Sequence, residues 1–152
     1  MNREIKFRGK RLDNGEWVAG RLITDDRDGK DFIVSWIGYH CNVKSSLEED
    51  VDSANRYIEC FGFEVDPETV GQYTGLKDKN GVKIWEGDVV KGHRYSNGIR
   101  KEIVGRVMFG YNGWDIAGIG HYVWETITLT SAYEVISNIH DNPELLEVLG
   151  DE

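Results

Sequence analysis

Asp78-Lys79-Asn80-Gly81-Val82-Lys83-Ile84-Trp85-Glu86-Gly87-Asp88-Val89-Val90-Lys91 is the stretch that decides the fold class. Asp-x-Asn-Gly is tight-turn chemistry, because Asn and Gly tolerate positive φ. Val82 to Trp85 then reads as a short strand, Glu86-Gly87 as a second turn, and Asp88 to Lys91 as strand again. Two turns this close together leave no room for a helix between them. The same rhythm extends outward. Val70 to Leu76 precedes the stretch as a strand, and Ser96-Asn97-Gly98 follows it as a hairpin tip. Ile99 to Phe109 runs back, Gly110-Tyr111-Asn112-Gly113 turns, and Trp114 to Ile116 and Tyr122 to Leu129 continue the sheet. Short strands at this spacing, punctuated by 18 glycines, predict a small curled sheet or barrel.

The amino-terminal part is also β. Arg3 to Arg8 places Ile5 and Phe7 on one face and Glu4, Lys6 and Arg8 on the other, the period of two that marks a strand. Asp13-Asn14-Gly15 turns, Trp17 to Ile23 returns, Asp25 to Gly29 turns again, and Asp31 to Ile37 follows. The expectation is an antiparallel meander over residues 3–37. Ser46 and Glu49 match a capping box before Leu47, Val51, Ala54 and Ile58, so residues 46–58 read as a short acidic helix or a solvated loop. Phe61, Phe63 and Val65 alternate with Gly62 and Glu64 until Asp66-Pro67 ends the run. At the other end, Tyr133 to His140 alternates as a strand. Asn142 then reads as an N-cap with Pro143 at N1, opening a terminal helix over 143–149 that stops at Gly150. The composition shift near residues 66–75 divides the chain into an amino-terminal antiparallel subdomain, 1–69, and a carboxy-terminal small barrel with its helix, 70–152.

At 152 residues the chain is long enough for one core, or for two very small ones. Hydrophobic residues make up 39% and charged ones 30%, a globular composition with no apolar run near membrane-spanning length. Cys41 and Cys60 make no disulfide framework. With no signal-peptide pattern at the amino terminus, the expected setting is a reducing cytoplasm. The net charge of −9 is unevenly spread: +2 over residues 1–44, −7 over 45–69, +4 over 70–110 and −8 over 111–152. Such segregation marks either faces of opposite potential that meet partners or acidic loops that keep the protein in solution. The overall sign works against nonspecific nucleic-acid binding but leaves room for a local basic patch.

Arg3-Glu4-Ile5-Lys6-Phe7-Arg8, then Gln72 to Gly81 leading into Ile84-Trp85-Glu86-Gly87-Asp88-Val89-Val90, and finally Glu134-Val135-Ile136-Ser137-Asn138-Ile139-His140-Asp141-Asn142-Pro143-Glu144-Leu145-Leu146 together resemble the YopX family, small proteins encoded largely by bacteriophages and prophages. The resemblance covers most of the chain and is weaker over 38–60 and 93–130. Two positions depart from the pattern: Gly9, where a larger residue is expected, and Ser137, where the family usually has Gly. The resemblance implies a phage accessory protein, in the cytoplasm of a bacterial host cell, and carries over no catalytic residue. Separately, Glu86 to Val90 followed by Gly105-Arg106-Val107-Met108-Phe109 resembles the opening of SH3-like barrels. There a Gly-Asp turn launches the first strand and a glycine bends the second. Asp88 is expected to cap that turn.

Sites with recognisable chemistry are sparse. Asp26-x-Asp28-Gly29 and Asp78-x-Asn80-Gly81 resemble calcium loops but put the wrong residues at the first and last ligand positions. His40, Cys41, Cys60, His93, His121 and His140 lack zinc-ligand spacing. No Gly-x-Ser-x-Gly elbow occurs, and Gly118-x-Gly120 is followed by Val123 where a dinucleotide motif needs its third glycine. Trp17, Trp36, Trp85, Trp114 and Trp124 are expected as core filling, with at least one at an interface. The expectation is thus a nonenzymatic protein with no cofactor and no metal, acting by binding, as a homo-oligomer and against a host or phage protein. Leu145, Leu146, Val148 and Leu149 are the candidate oligomer interface. The alternative is a nucleic-acid-binding small barrel that uses the basic hairpin of Lys91, His93, Arg94, Arg100, Lys101 and Arg106, with Tyr95 as a stacking ring.

Overall fold

The computed structural model describes residues 4–34, 62–110, 113–119 and 126–147. They fall into two compact units, one within Glu4–Gln72 and one within Tyr73–Glu152. The protein is mainly β, and its strand pairs are antiparallel. The proposed helix or loop at 46–58, the end of the meander at 35–37, and Cys41, Cys60, Trp36 and Trp124 lie outside the described residues.

In the first unit β1 (Phe7–Lys10), β2 (Trp17–Thr24), β3 (Asp31–Val34) and β4 (Gly62–Val65) pair in sequence, from Phe7↔Gly20 through Arg21↔Val34 to Val34↔Gly62. The meander is present, but its first strand begins at Phe7 rather than Arg3. Phe7 is where partners become available, Gly20 on one side and Gln72 on the other, whereas Ile5 is 63% exposed. Ile33 and Val65 are buried. Val65 also explains the departure at Gly9: its Cβ and Cγ2 would stand 2.9 Å from any Cβ placed there, so the larger residue of the family pattern has no room. After β4, the Asp66 carboxylate accepts from the Glu68 N–H at 3.1 Å and opens a single 3₁₀ turn, Pro67–Thr69.

The next strand, β5 (Gly71–Lys77), begins opposite β1, with Arg8↔Gly71 and Phe7↔Gln72. Its later residues belong to the second unit and pair with β6 (Lys83–Trp85). There β7 (Asp88–Ser96), β8 (Ile99–Gly110), β9 (Gly113–Gly118), β10 (Thr126–Thr128) and β11 (Glu134–Asn138) form a five-stranded sheet in the order β10-β9-β8-β7-β11. Residues opposite one another in an antiparallel pair share a face. The register Val90↔Gly105, Gly92↔Ile103 and Val107↔Ile116 therefore gathers Val90, Ile103, Val107 and Ile116 on one side, where Ile84, Leu129 and Tyr133 complete a buried cluster. Gly92 and Gly105 sit in that face because nothing larger fits. A Cβ at Gly92 would meet Tyr133 Cε1 at 2.7 Å, and one at Gly105 would meet the Ala117 carbonyl oxygen at 2.6 Å. Gly105, expected as a bend, is a point of close strand approach.

Two further expectations are met only in part. Among the described residues the largest fully buried side chains are all Ile or Val; Trp17 and Trp85 are half-buried, and half-buried Trp114 packs against the buried cluster. Trp17 lies under the Arg8 guanidinium at 4.3 Å, Trp85 against Tyr73 at 5.3 Å, and Trp114 edge-on to Phe109 at 5.1 Å. At the carboxy-terminal end, the described helix is one turn, α1 (Glu144–Glu147). Asn142 does not cap it through its side-chain oxygen, which accepts from the Ser137 hydroxyl; its amide Nδ2 instead donates to the Glu144 carboxylate at 2.9 Å. Leu145 is half-buried, and the Leu146 side chain, Val148 and Leu149 lie outside the described residues.

Candidate functional site

The motif residues of the second unit come together first, as structural joints. Asp78 is 5% exposed. Its Oδ1 accepts from the N–H groups of Asn80 at 2.8 Å and Val82 at 2.9 Å, and its Oδ2 accepts from Val135 N–H at 3.0 Å. It thus holds its own turn closed and fastens that turn to β11. Burial alone would push this carboxyl up, but the Val135, Val82 and Asn80 N–H groups outweigh it and hold it below the ordinary 3.8. Asp88 is buried too, and its Oδ2 accepts from Trp85 N–H at 2.7 Å, the turn cap expected of it. Gly87 has φ +89° and carries the His140 ring against its Cα side, with Nε2 3.0 Å from where a Cβ would be. Its carbonyl accepts from Ile139 N–H at 2.9 Å. Among the described residues no group of three His, Cys, Asp or Glu is placed to hold a metal ion.

The basic hairpin is different. Asn97 and Gly98 both have positive φ, +52° and +76°, the two-residue type I′ connection whose twist matches the strands it joins. That turn fixes the register: Ser96↔Ile99, Tyr95↔Arg100, Arg94↔Lys101 and His93↔Glu102. The pairing of β11 with β7 reaches only Lys91, and that of β9 with β8 only Gly105. Among the described residues, His93–Glu102 therefore forms a two-stranded arm continuing past the sheet. All of its residues are exposed except Ser96, with Tyr95 at 71% and Ile99 at 62%.

The seven candidate residues of this hairpin do not make one surface. Lys91 lies in the sheet, where its Nζ is 3.7 Å from Glu102 Oε2 and its backbone is opposite Glu134. Arg106 is half-buried opposite Val89. The remaining five are all on the arm, divided between its faces. Arg94 and Lys101 share one face with Ile99; His93, Tyr95 and Arg100 share the other with Glu102. Arg100 Nη2 is 3.1 Å from His93 Nδ1. Arginine only donates, so Nδ1 is the acceptor in this contact. The Arg94 charge is felt in the core: burial raises the Tyr133 hydroxyl above its ordinary value, and Arg94 pulls it part of the way back. The sequence reading missed Ile99. The Asn-Gly signal would have found it, because a two-residue turn dictates every cross-strand partner outward from the tip.

The sequence pattern described as YopX protein matches residues 6–147. The chain belongs to the YopX family. Its structure is similar to the crystal structure of protein EF1440 from Enterococcus faecalis, with 23% identity, a TM-score of 0.50, and coverage of 95% of this chain and 99% of that one. The likeness is one of fold. No curated protein matches the chain. Within this YopX-family chain, the motif residues Asp78, Gly87, Asp88 and His140 hold turns and strands together. The arm lies between these motif stretches and within the matched residues.

Proposed function

We propose that this chain acts by binding rather than by covalent catalysis, as an accessory protein of phages and prophages in the bacterial cytoplasm, and that the arm His93–Glu102 is the element that meets its partner. One observation carries the proposal. A ten-residue ribbon with Tyr95 and Ile99 bared at its tip contributes little to the buried cluster, yet keeps a closely specified I′ turn. The strand order also supports reading the second unit as an SH3-like barrel, since β7 to β10 form a meander and β11 returns to pair with β7. In such a barrel the arm is the elongated first hairpin. A homo-oligomer built on Leu145, Leu146, Val148 and Leu149 of the terminal helix belongs to the same proposal. Light scattering of the full chain and of a chain ending at Asp141 tests it: a monomeric full chain removes that part.

The arm is tested by placing a photo-activatable side chain at position 95, and as a control at the exposed Leu12, in protein produced in bacterial cells. Discrete adducts of any class from position 95 and not from position 12 are expected. Equal labelling at both positions, or none at 95, rejects the arm as the contact element.

A further inference from the structure

We propose that the arm is a groove-binding ribbon for double-stranded nucleic acid, an inference that rests on the arm being the contact element. Two observations carry it. First, the cations are distributed over both faces of the ribbon, Arg94 and Lys101 on one and Arg100 on the other. A flat acidic protein surface would meet one face and leave the other unused. A nucleic-acid groove has a phosphate wall on each side, so a ribbon lying in it has anions within reach of both faces. Second, Arg94 and Lys101 are directly opposite each other, which brings two cationic side chains within reach of one phosphate.

The dimensions agree. Two strands about 4.8 Å apart, paired over four positions or roughly 13 Å, make an object that the major groove of B-DNA, about 12 Å wide, admits. Tyr95 and Ile99 at the tip supply apolar surface for base edges or a base step. The net charge of −9 repels a polyanion from the chain as a whole, which confines the attraction to cations carried beyond the sheet.

The test uses the full chain with three labelled probes: a mixed-sequence DNA duplex about 20 bp long, two helical turns, a single strand of the same length, and polyglutamate. Duplex binding is expected, with three phosphate contacts costing about forty-fold in affinity between about 50 and 200 mM salt. In the double variant Arg100→Ala/Lys101→Ala the same salt change should cost only about three- to fourfold. Both positions are exposed, and an unchanged circular dichroism spectrum verifies that the variant is folded. No duplex binding at the lower salt, equal or tighter binding of the single strand or of polyglutamate, or a salt dependence unaltered in the double variant each overturns the proposal. If it fails while position 95 still yields discrete protein adducts, the arm remains the contact element and only the class of partner was wrong.

Discussion

Strands β7 and β8 pass through two environments. From Asp88 to Gly92, opposite Ile103 to Arg106, packing accounts for the residues. Val89 and Val90 are fully buried, Asp88 caps a turn, and Gly92 and Gly105 are glycine because Tyr133 and Ala117 occupy the space beside them. From His93 to Glu102, on the same two strands, nine of ten residues are exposed and packing accounts for almost none. The difference separates two kinds of constraint within one hairpin. In the proximal half, residue identity follows from volume and hydrogen bonding. In the distal half, the turn is specified while the side chains, all but Ser96, are exposed. Each prediction below breaks or sharpens that contrast.

The largest effect is expected at Gly105. In Gly105→Ala the new methyl meets a backbone carbonyl 2.6 Å away, which cannot step aside as the end of a flexible side chain can. Overpacking of this kind should cost about 3 kcal/mol, read as a lower urea midpoint with an unchanged slope. A loss under about 1 kcal/mol would mean that the strands do not approach as closely as described. Asp78→Ala comes next. It strips three backbone N–H groups of their acceptor, two of them on partly exposed turn residues that water can reach, so about 2 kcal/mol is expected.

Much of this architecture is legible in the sequence because turn chemistry is local. Asp78-x-Asn80-Gly81, Gly87-Asp88 and Asn97-Gly98 announce their turns without help from the rest of the chain, and alternation supplies the strands between them. What stays hidden depends on partners far along the chain. The alternation of Arg3 to Arg8 cannot say that pairing begins only at Phe7, since that depends on where Gly20 and Gln72 fall. The reason for glycine at 92 and 105 lies in Tyr133 and Ala117, in other strands. Composition likewise groups Lys91 and Arg106 with the arm, although one is drawn to Glu102 and the other is half-buried in the sheet. Cross-strand register, not the density of basic residues, separates the arm from its base.

Acid should probe the proximal framework through two carboxyls of opposite sign. Asp78 is held below its ordinary 3.8 in the folded chain, so its contribution is complete above that pH and is lost as pH falls toward the folded value. Burial raises Glu86 above its ordinary 4.5, so its contribution is largest below 4.5 and disappears as pH rises through the folded value. Urea midpoints measured across this range should fall on the acid side, and Asp78→Ala should flatten that limb. Glu86→Gln should raise the midpoint at neutral pH, where the wild-type carboxylate is charged in a half-buried site. If the acid limb is as steep in Asp78→Ala as in the wild type, some other group is responsible for it.

The smallest effect falls on the distal half and tests the contrast most directly. Lys101→Glu places a carboxylate opposite Arg94 on an exposed ribbon, where opposite charges attract across the strands. Exposed pairs of this kind contribute about 0.2–1 kcal/mol, so the urea midpoint should rise slightly or stay level. A proximal substitution in the same strand, Gly105→Ala, moves it far in the other direction. At the same time the change takes a cation from the arm and puts an anion in its place, so duplex affinity should fall and the salt dependence of the remainder should become shallower. Stability and binding moving in opposite directions at one position is what a residue kept for a partner, and not for the fold, must do. A substantial loss of stability in Lys101→Glu would mean that Lys101 supports the ribbon itself, and the division of this hairpin into a packed half and a chemical half would have to be given up.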